Sequence, residues 1–382
     1  MRKVYLDNGS TSVPKAPGVG RAMLEYIENG GCNVGRGGYE SSYSIAEQVL
    51  STRKKLCDLF CFRKESNVVF TNNVTYGLNI LIGGLLNPRD HVINTSMEHN
   101  AVARPIEAAR KREIVVSIAK CDERGRLNPL NLETLIRPET KAVIMIHGSN
   151  VCGTLLPLAE VGEICKKHGV FFIVDAAQTA GVFPLDMEKL KIDGLAFTGH
   201  KGLLGPQGIG GFLIRDELAK AISPVIYGGT GSMSDSVIMP EFLPDKFEPG
   251  TLNLPGILGL SAALDYIKEE GIDTIRETEL AFTNIFLDSM MNRSDVRVVG
   301  LKGLEGRCPI VSLDFLNHDN AEIAFRLDGE YGIMTRCGLH CAPMAHQTLG
   351  TFPQGTVRFS FGHRNTDEEI YYAIEAIHKI LK

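Results

Sequence analysis

Short apolar runs alternating with helical stretches constrain this chain more than any other feature. "NVVFT" (67–71), "HVINT" (91–95), "EIVVSIA" (113–119), "KAVIMIH" (141–147), "VFFIVD" (170–175), "GLAFT" (194–198) and "IGGFLI" (209–214) read as strands. Most lack the polar alternation of a half-exposed strand, so they suit a sheet buried on both faces. Helical patterns lie between many of them: 41–60 before the first, one from about Asn100, and "LAEVGEICKKHG" before "VFFIVD". The economical reading is an α/β domain around a mainly parallel sheet. After about Pro255 the order changes. Two long helices (258–271 and 272–292) precede the strands "VRVVG" and "CPIVSLDF", a helix near 320–331, the strand "GTVRFSF" (355–361) and a last helix at 367–381. This predicts a large domain over 15–257 and a smaller α+β domain over 258–382, joined by the N-terminal segment 1–14.

The chain has 382 residues, 44% of them hydrophobic, and a net charge of −5. That balance, without any Lys/Arg-rich run, argues against a nucleic-acid partner. The start "MRKVYLDNGS" has no apolar leader core, and no apolar run is long enough for a bilayer. Nine cysteines at irregular spacing suit reduced thiols, and a cytoplasmic protein is expected.

Ligands of open α/β sheets gather beyond the C-terminal strand ends, where four features fall. In "FTNNVTYGLN", Asn73, Val74 and Thr75 stand where a helix begins, a seat for an anion or an ordinary N-cap. In "SMEHNAV", His99 either stacks on a flat ring and moves a proton or caps a helix. In "VFFIVDAAQTAG", Asp175 ends the most apolar strand, a costly place for a carboxylate without a cation or strong donors, and Gln178 follows. A helix cap is the alternative. In "AFTGHKGLLGPQGIGG", Thr198 and His200 flank Lys201 among glycines, a setting that suits a lysine approached by a planar ligand. A desolvated lysine loses its proton readily and attacks aldehydes. Together the four describe a phosphate, a flat ring, a ring nitrogen and an aldehyde carbon: pyridoxal 5′-phosphate.

These motifs resemble the class V aminotransferase group of fold-type-I pyridoxal-phosphate enzymes, and within it the cysteine desulfurases and selenocysteine lyases, over nearly the whole chain. The resemblance implies that Thr75, Thr198 and His200 hold the phosphate, and that His99 stacks on the ring. It gives Asp175 the ring nitrogen, Gln178 and Asn150 ("HGSNVCG") the ring oxygen side, and Lys201 the covalent link. "FEPGTLN" would bring Gly250 and Thr251 to a neighbouring subunit's phosphate, which implies a homodimer. "TRCGLHCAPMAH" is similar to the catalytic-cysteine segment of the shorter-loop subgroup, making Cys341 the reactive thiol. Arg336, Arg358 ("TVRFSFGHRNT"), Asn8, Asn150 and Arg36 would meet the substrate, with Arg358 on its α-carboxylate. Gly35 replaces a histidine common in relatives, and Cys337 is an added thiol that reads as a small packing residue. No second ligand pair supports a metal at Cys337, His340 and Cys341.

The implied activity converts L-cysteine to L-alanine, with a persulfide on Cys341 passed to an acceptor protein or small thiol. Selenocysteine lyase or aminotransferase chemistry would use the same pocket. A catalytically silent binding scaffold would be expected to lack Lys201 or Asp175, and both are present.

Overall fold

The computed structural model describes residues 2–34 and 37–382. Its strands run in chain order as β1 (Val4–Tyr5), β2 (Val68–Thr71), β3 (His91–Thr95), β4 (Val115–Ala119), β5 (Thr140–Ile146), β6 (Phe171–Asp175), β7 (Gly194–Thr198), β8 (Gly210–Ile214), β9 (Val296–Val299), β10 (Ile310–Phe315), β11 (Ile333–Met334), β12 (Arg336–Gly338) and β13 (Thr356–Ser360). The helices are α1 (Val19–Glu25), α2 (Glu40–Leu59), α3 (Val74–Leu85), α4 (Asn100–Arg110), α5 (Pro129–Glu133), α6 (Leu158–His168), α7 (Asp216–Ala221), α8 (Leu254–Glu270), α9 (Ile272–Met291), α10 (Asn320–Tyr331), α11 (Pro343–Thr348) and α12 (Asp367–Ile380).

A seven-stranded sheet in the order β2-β8-β7-β6-β5-β3-β4 forms the large unit. The strands β3 to β7 pair in parallel, while β8 runs antiparallel to both β7 and β2. The exception has a local cause. No helix lies within 199–209, so the chain turns straight back beside β7 instead of crossing over. The central strands β3, β5, β6, β7 and β8 are almost wholly buried, as their lack of polar alternation predicts. The run at 113–119 is different: β4 is an edge strand, with Val115 and Ile118 exposed. Separate apolar clusters cover the two faces of the sheet.

A four-stranded antiparallel sheet, β12-β13-β10-β9, carries its own core with α9, α10 and α12. The N-terminus joins it: β1 pairs with β11, and Asp7 bridges to Ser360. The helix expected from 258 begins at Leu254, because the Asn253 side chain caps it by accepting from the Gly256 N–H and Pro255 fits the first turn. No helix among the described residues is long and apolar enough to cross a membrane. Parallel pairing sets Thr95, Ile146, Asp175 and Thr198 along one end of the large sheet. The small sheet delivers Arg336, Cys341 and Arg358 to the same place.

Candidate active site

Asp175 closes β6 with its side chain buried, and its Oδ1 accepts the Ala177 N–H at 2.9 Å. Burial pushes this carboxyl above its usual range, while the Ala177 bond and the Lys201 charge pull it back down. The loop after β7 presents half-buried Lys201. Burial, reinforced by Arg358 and opposed by Asp175, pushes its amine down to about 8.

Two of the glycines around Lys201 also answer to the packing of the loop itself. A Cβ on Gly202 would stand 2.6 Å from the Ala180 carbonyl oxygen, and one on Gly205 would stand 3.0 Å from that of Gly199. Gly181, at φ +84, faces Gly202 in turn. Backbone occupies the space that side chains at Gly202 and Gly205 would need, so these glycines let the loop pack on the segment that follows Asp175. The N-terminal segment clasps the same loop. Ser12 N–H donates to the His200 carbonyl at 2.9 Å, and Lys15 Nζ donates to that carbonyl at 2.9 Å and to Thr11 Oγ1 at 2.9 Å. Burial pushes the Lys15 amine down to about 8.

His99 and Asn73 are both helix caps. His99 Nδ1 accepts the Ala101 N–H at 3.0 Å at the start of α4, and Asn73 Oδ1 accepts the Tyr76 N–H at 3.2 Å at the start of α3. Capping does not take His99 out of the site. With Nδ1 an acceptor, the neutral ring carries its proton on Nε2, which can only donate. Burial, with Lys201, Arg336, Arg358 and Arg104 nearby, pushes this imidazole down to about 3. Val74 and Thr75 open α3, where the first N–H groups have no helical acceptors.

Several polar atoms at this end of the sheet are buried without a partner: Thr198 Oγ1, His200 Nδ1, Asn150 Oδ1 and Arg358 Nε. Buried polar groups are normally satisfied, so these are places for a polar ligand. Together with the α3 N-terminus, Asp175 and a lysine of lowered basicity, they fit pyridoxal 5′-phosphate. Gln178 is buried here too, with its Nε2 donating to the Gly9 carbonyl at 3.0 Å.

The thiol side comes from the small sheet. Cys341 is exposed, and Arg336 Nη2 lies 3.3 Å from its Sγ. The segment around it is anchored. Asn100 N–H donates to the Cys341 carbonyl at 2.8 Å, Asn150 Nδ2 to the His340 carbonyl at 2.8 Å, and buried His340 Nε2 contacts Thr356 Oγ1 at 3.0 Å. Arg358 is fully buried. Its Nη2 donates to Asp7 Oδ1 at 2.7 Å and Ser10 Oγ at 2.8 Å, and its Nη1 to the Asn150 carbonyl at 3.0 Å. Asp7 and Ser10, both in "YLDNGST", went unnoticed in the sequence because their partner is hundreds of positions away. Asn8 Nδ2 donates to the Ser360 carbonyl at 3.1 Å. Cys337 is half-buried and packs against the small core. No metal-holding cluster occurs among the described residues. Thr251 is exposed, and Gly250 is at φ +88 with open space around it. Arg36 and Gly35 lie outside the described residues.

The chain matches the family model described as aminotransferase class-V over residues 4–372. A probable cysteine desulfurase of Methanothermobacter thermautotrophicus is 33% identical over 383 residues, 99% of this chain and 94% of that protein. The apo structure of cysteine desulfurase from Thermococcus onnurineus NA1 superposes with a TM-score of 0.91 at 32% identity, covering 99% of this chain and 94% of that one. The cysteine desulfurase CsdA from Escherichia coli, solved in an S-sulfonic acid form, does so with a TM-score of 0.88 at 28% identity, covering 99% of this chain and 94% of that one.

Proposed function

This chain belongs to the class-V aminotransferase family and is an enzyme of its cysteine desulfurase group, and from that premise we propose that it takes sulfur from L-cysteine with bound pyridoxal 5′-phosphate, leaving L-alanine. The observation that carries the reading is the meeting of two half-sites: Lys201 and Asp175 from the large sheet, and the Arg336–Cys341 contact from the small one. An amino-group transfer would need only the first.

When bound, the cofactor supplies an electron sink that makes the substrate Cα proton removable. Asp175 keeps the ring nitrogen charged. Thr75, Thr198 and His200 hold the phosphate, and Asn150 and Gln178 the ring oxygen side. Lys201 would hold the cofactor covalently, and its amine is the group that would move the substrate's Cα proton. Arg358, whose Nε is without a partner, receives the α-carboxylate. Arg336 gives a positive charge to a sulfur that attacks as a thiolate. A bond forms between Cys341 Sγ and the substrate sulfur as the substrate's carbon–sulfur bond breaks, leaving a persulfide on Cys341. His99 Nε2–H supplies a proton to the departing carbon fragment. Because the Cys341 segment is anchored to α4 and Asn150, the acceptor thiol, on a small molecule or another protein, must come to it. Residues 15–257 hold the cofactor, and 258–382 with 1–14 present the thiol.

The working unit is a homodimer. Ile226, Tyr227, Met233, Val237, Ile238 and Phe242 are all exposed on the segment before Thr251. An apolar surface of that kind suits cover by a second copy, which would place Thr251 at the neighbour's phosphate.

Two measurements bear on this reading. Cysteine given to the purified protein with a reductant should yield sulfide and alanine in equal amounts. The lowered basicity of Lys201 gives a second expectation. Only the neutral amine attacks an aldehyde, so capture of pyridoxal 5′-phosphate by the apo protein should rise through pH 8. An ordinary lysine would respond only near pH ~10.4, and a rise confined to that range would show Lys201 to be solvated.

A further inference from the structure

Arg53 on α2 and Glu248, three residues before Thr251, form an ion pair that is buried on both sides. Arg53 Nη1 lies 2.9 Å from Oε1, and Nη2 lies 2.7 Å from Oε2. The pair does more than neutralise itself. Nη1 also donates to the Val68 carbonyl, and Phe70 N–H donates to Glu248 Oε1 at 2.6 Å. The guanidinium lies 4.6 Å from the centre of the Phe70 ring.

Val68 and Phe70 belong to β2, which is the outer strand of the large sheet. An outer strand leaves one row of backbone groups without a neighbour. Here an arginine and a glutamate fill that row. Beyond the strand's end at Thr71 the chain reaches Asn73, three residues past Phe70, where α3 and the proposed phosphate seat begin. One ion pair therefore holds two segments, one five residues before Thr75 and the other three residues before Thr251. A groove of about 150 Å³ lies beside the pair, lined by Thr71, Asn72, Tyr76 and Thr251 among others. Gly250, at φ +88, turns the chain before Thr251.

We propose that Arg53 and Glu248 are positioning residues that brace two phosphate seats at once: the subunit's own, through β2, and the neighbour's, through Thr251. The proposal rests on the dimer reading above. Burial alone does not explain the pair, since a buried ion pair is weak evidence of a stabilising role. Its link to both segments does. Loosening the pair in one subunit is then felt in both sites of the dimer.

Mixed dimers separate the two effects, because only a subunit with Lys201 binds pyridoxal 5′-phosphate covalently. The readout is cofactor affinity at that single site, followed by the visible absorbance of the lysine-bound form. The reference pairs a native subunit with a Lys201→Ala subunit. In the first arm, Glu248→Gln is added to the Lys201→Ala subunit, so the intact site sees only its neighbour's loosened Thr251. In the second, Glu248→Gln is placed in the Lys201-bearing subunit. Affinity should fall about tenfold in each arm, with the dimer intact in sedimentation. Arg53→Lys should behave alike and serves if Glu248→Gln folds poorly. Loss in one arm only, or in neither, overturns the proposal. Thr251→Ala in the Lys201→Ala subunit is the control. If it is silent in an intact dimer, or if no dimer forms, the dimer reading fails first and takes the proposal with it.

Discussion

Cys341→Ala should keep the cofactor bound while sulfide release from cysteine falls by about 10³-fold or more, the usual consequence of removing a nucleophile. The substitution is well placed to isolate chemistry. Cys341 is exposed and its side chain contacts Arg336, while its backbone carbonyl, which alanine retains, accepts from Asn100. Neither sheet loses core packing. Cysteine should therefore still enter and lose its Cα proton, measurable as deuterium uptake. After a brief cysteine pulse without reductant, the native protein should carry one added sulfur on the peptide containing Cys341. Cys337→Ala should retain most activity, because that thiol packs against the small core. Sulfide release at the native rate from Cys341→Ala would make this thiol structural.

Asp175→Ala should slow Cα-proton exchange by about 10²–10³-fold, as expected when a preorganised charge is removed from a site shielded from water. Asp175 is buried, and its one backbone bond fixes Oδ1 to Ala177. Alanine removes the charge and that bond together. Asp175→Asn retains an acceptor for Ala177 and removes only the charge, so the two variants should be similarly slow if the charge is what matters. Recovery in the asparagine variant would assign Asp175 a structural role, and native exchange in both would remove it from the site.

The large sheet was legible because its information is local. Most buried strands are apolar runs, and the cofactor residues proposed from the subunit's own sheet sit within a few positions of a strand end: Asp175 on β6, Thr198 on β7, His99 just after β3. The antiparallel course of β8 was hidden because direction depends on what the connecting loop lacks. The glycines beside Lys201 were visible, but the packing role of Gly202 was not, since the backbone that fills its space comes from the segment after Asp175. The substrate side was legible only in part. Arg358 stood out as a guanidinium, yet the contact that holds it, Asp7, is 351 positions away. The anchoring of Cys341 by Asn100 and of His340 by Asn150 likewise joins the two sheets, and nothing in either motif announces it.

Product stoichiometry tests the central claim most directly. The purified protein, loaded with pyridoxal 5′-phosphate, is given L-cysteine and a thiol reductant, and sulfide and alanine are quantified together over several turnovers. The meeting of Lys201 with the Arg336–Cys341 pair predicts the two products in a one-to-one ratio, both lost in Cys341→Ala. Consumption of cysteine with its amino group passed to a keto acid, and no matching alanine, would contradict it and leave an aminotransferase.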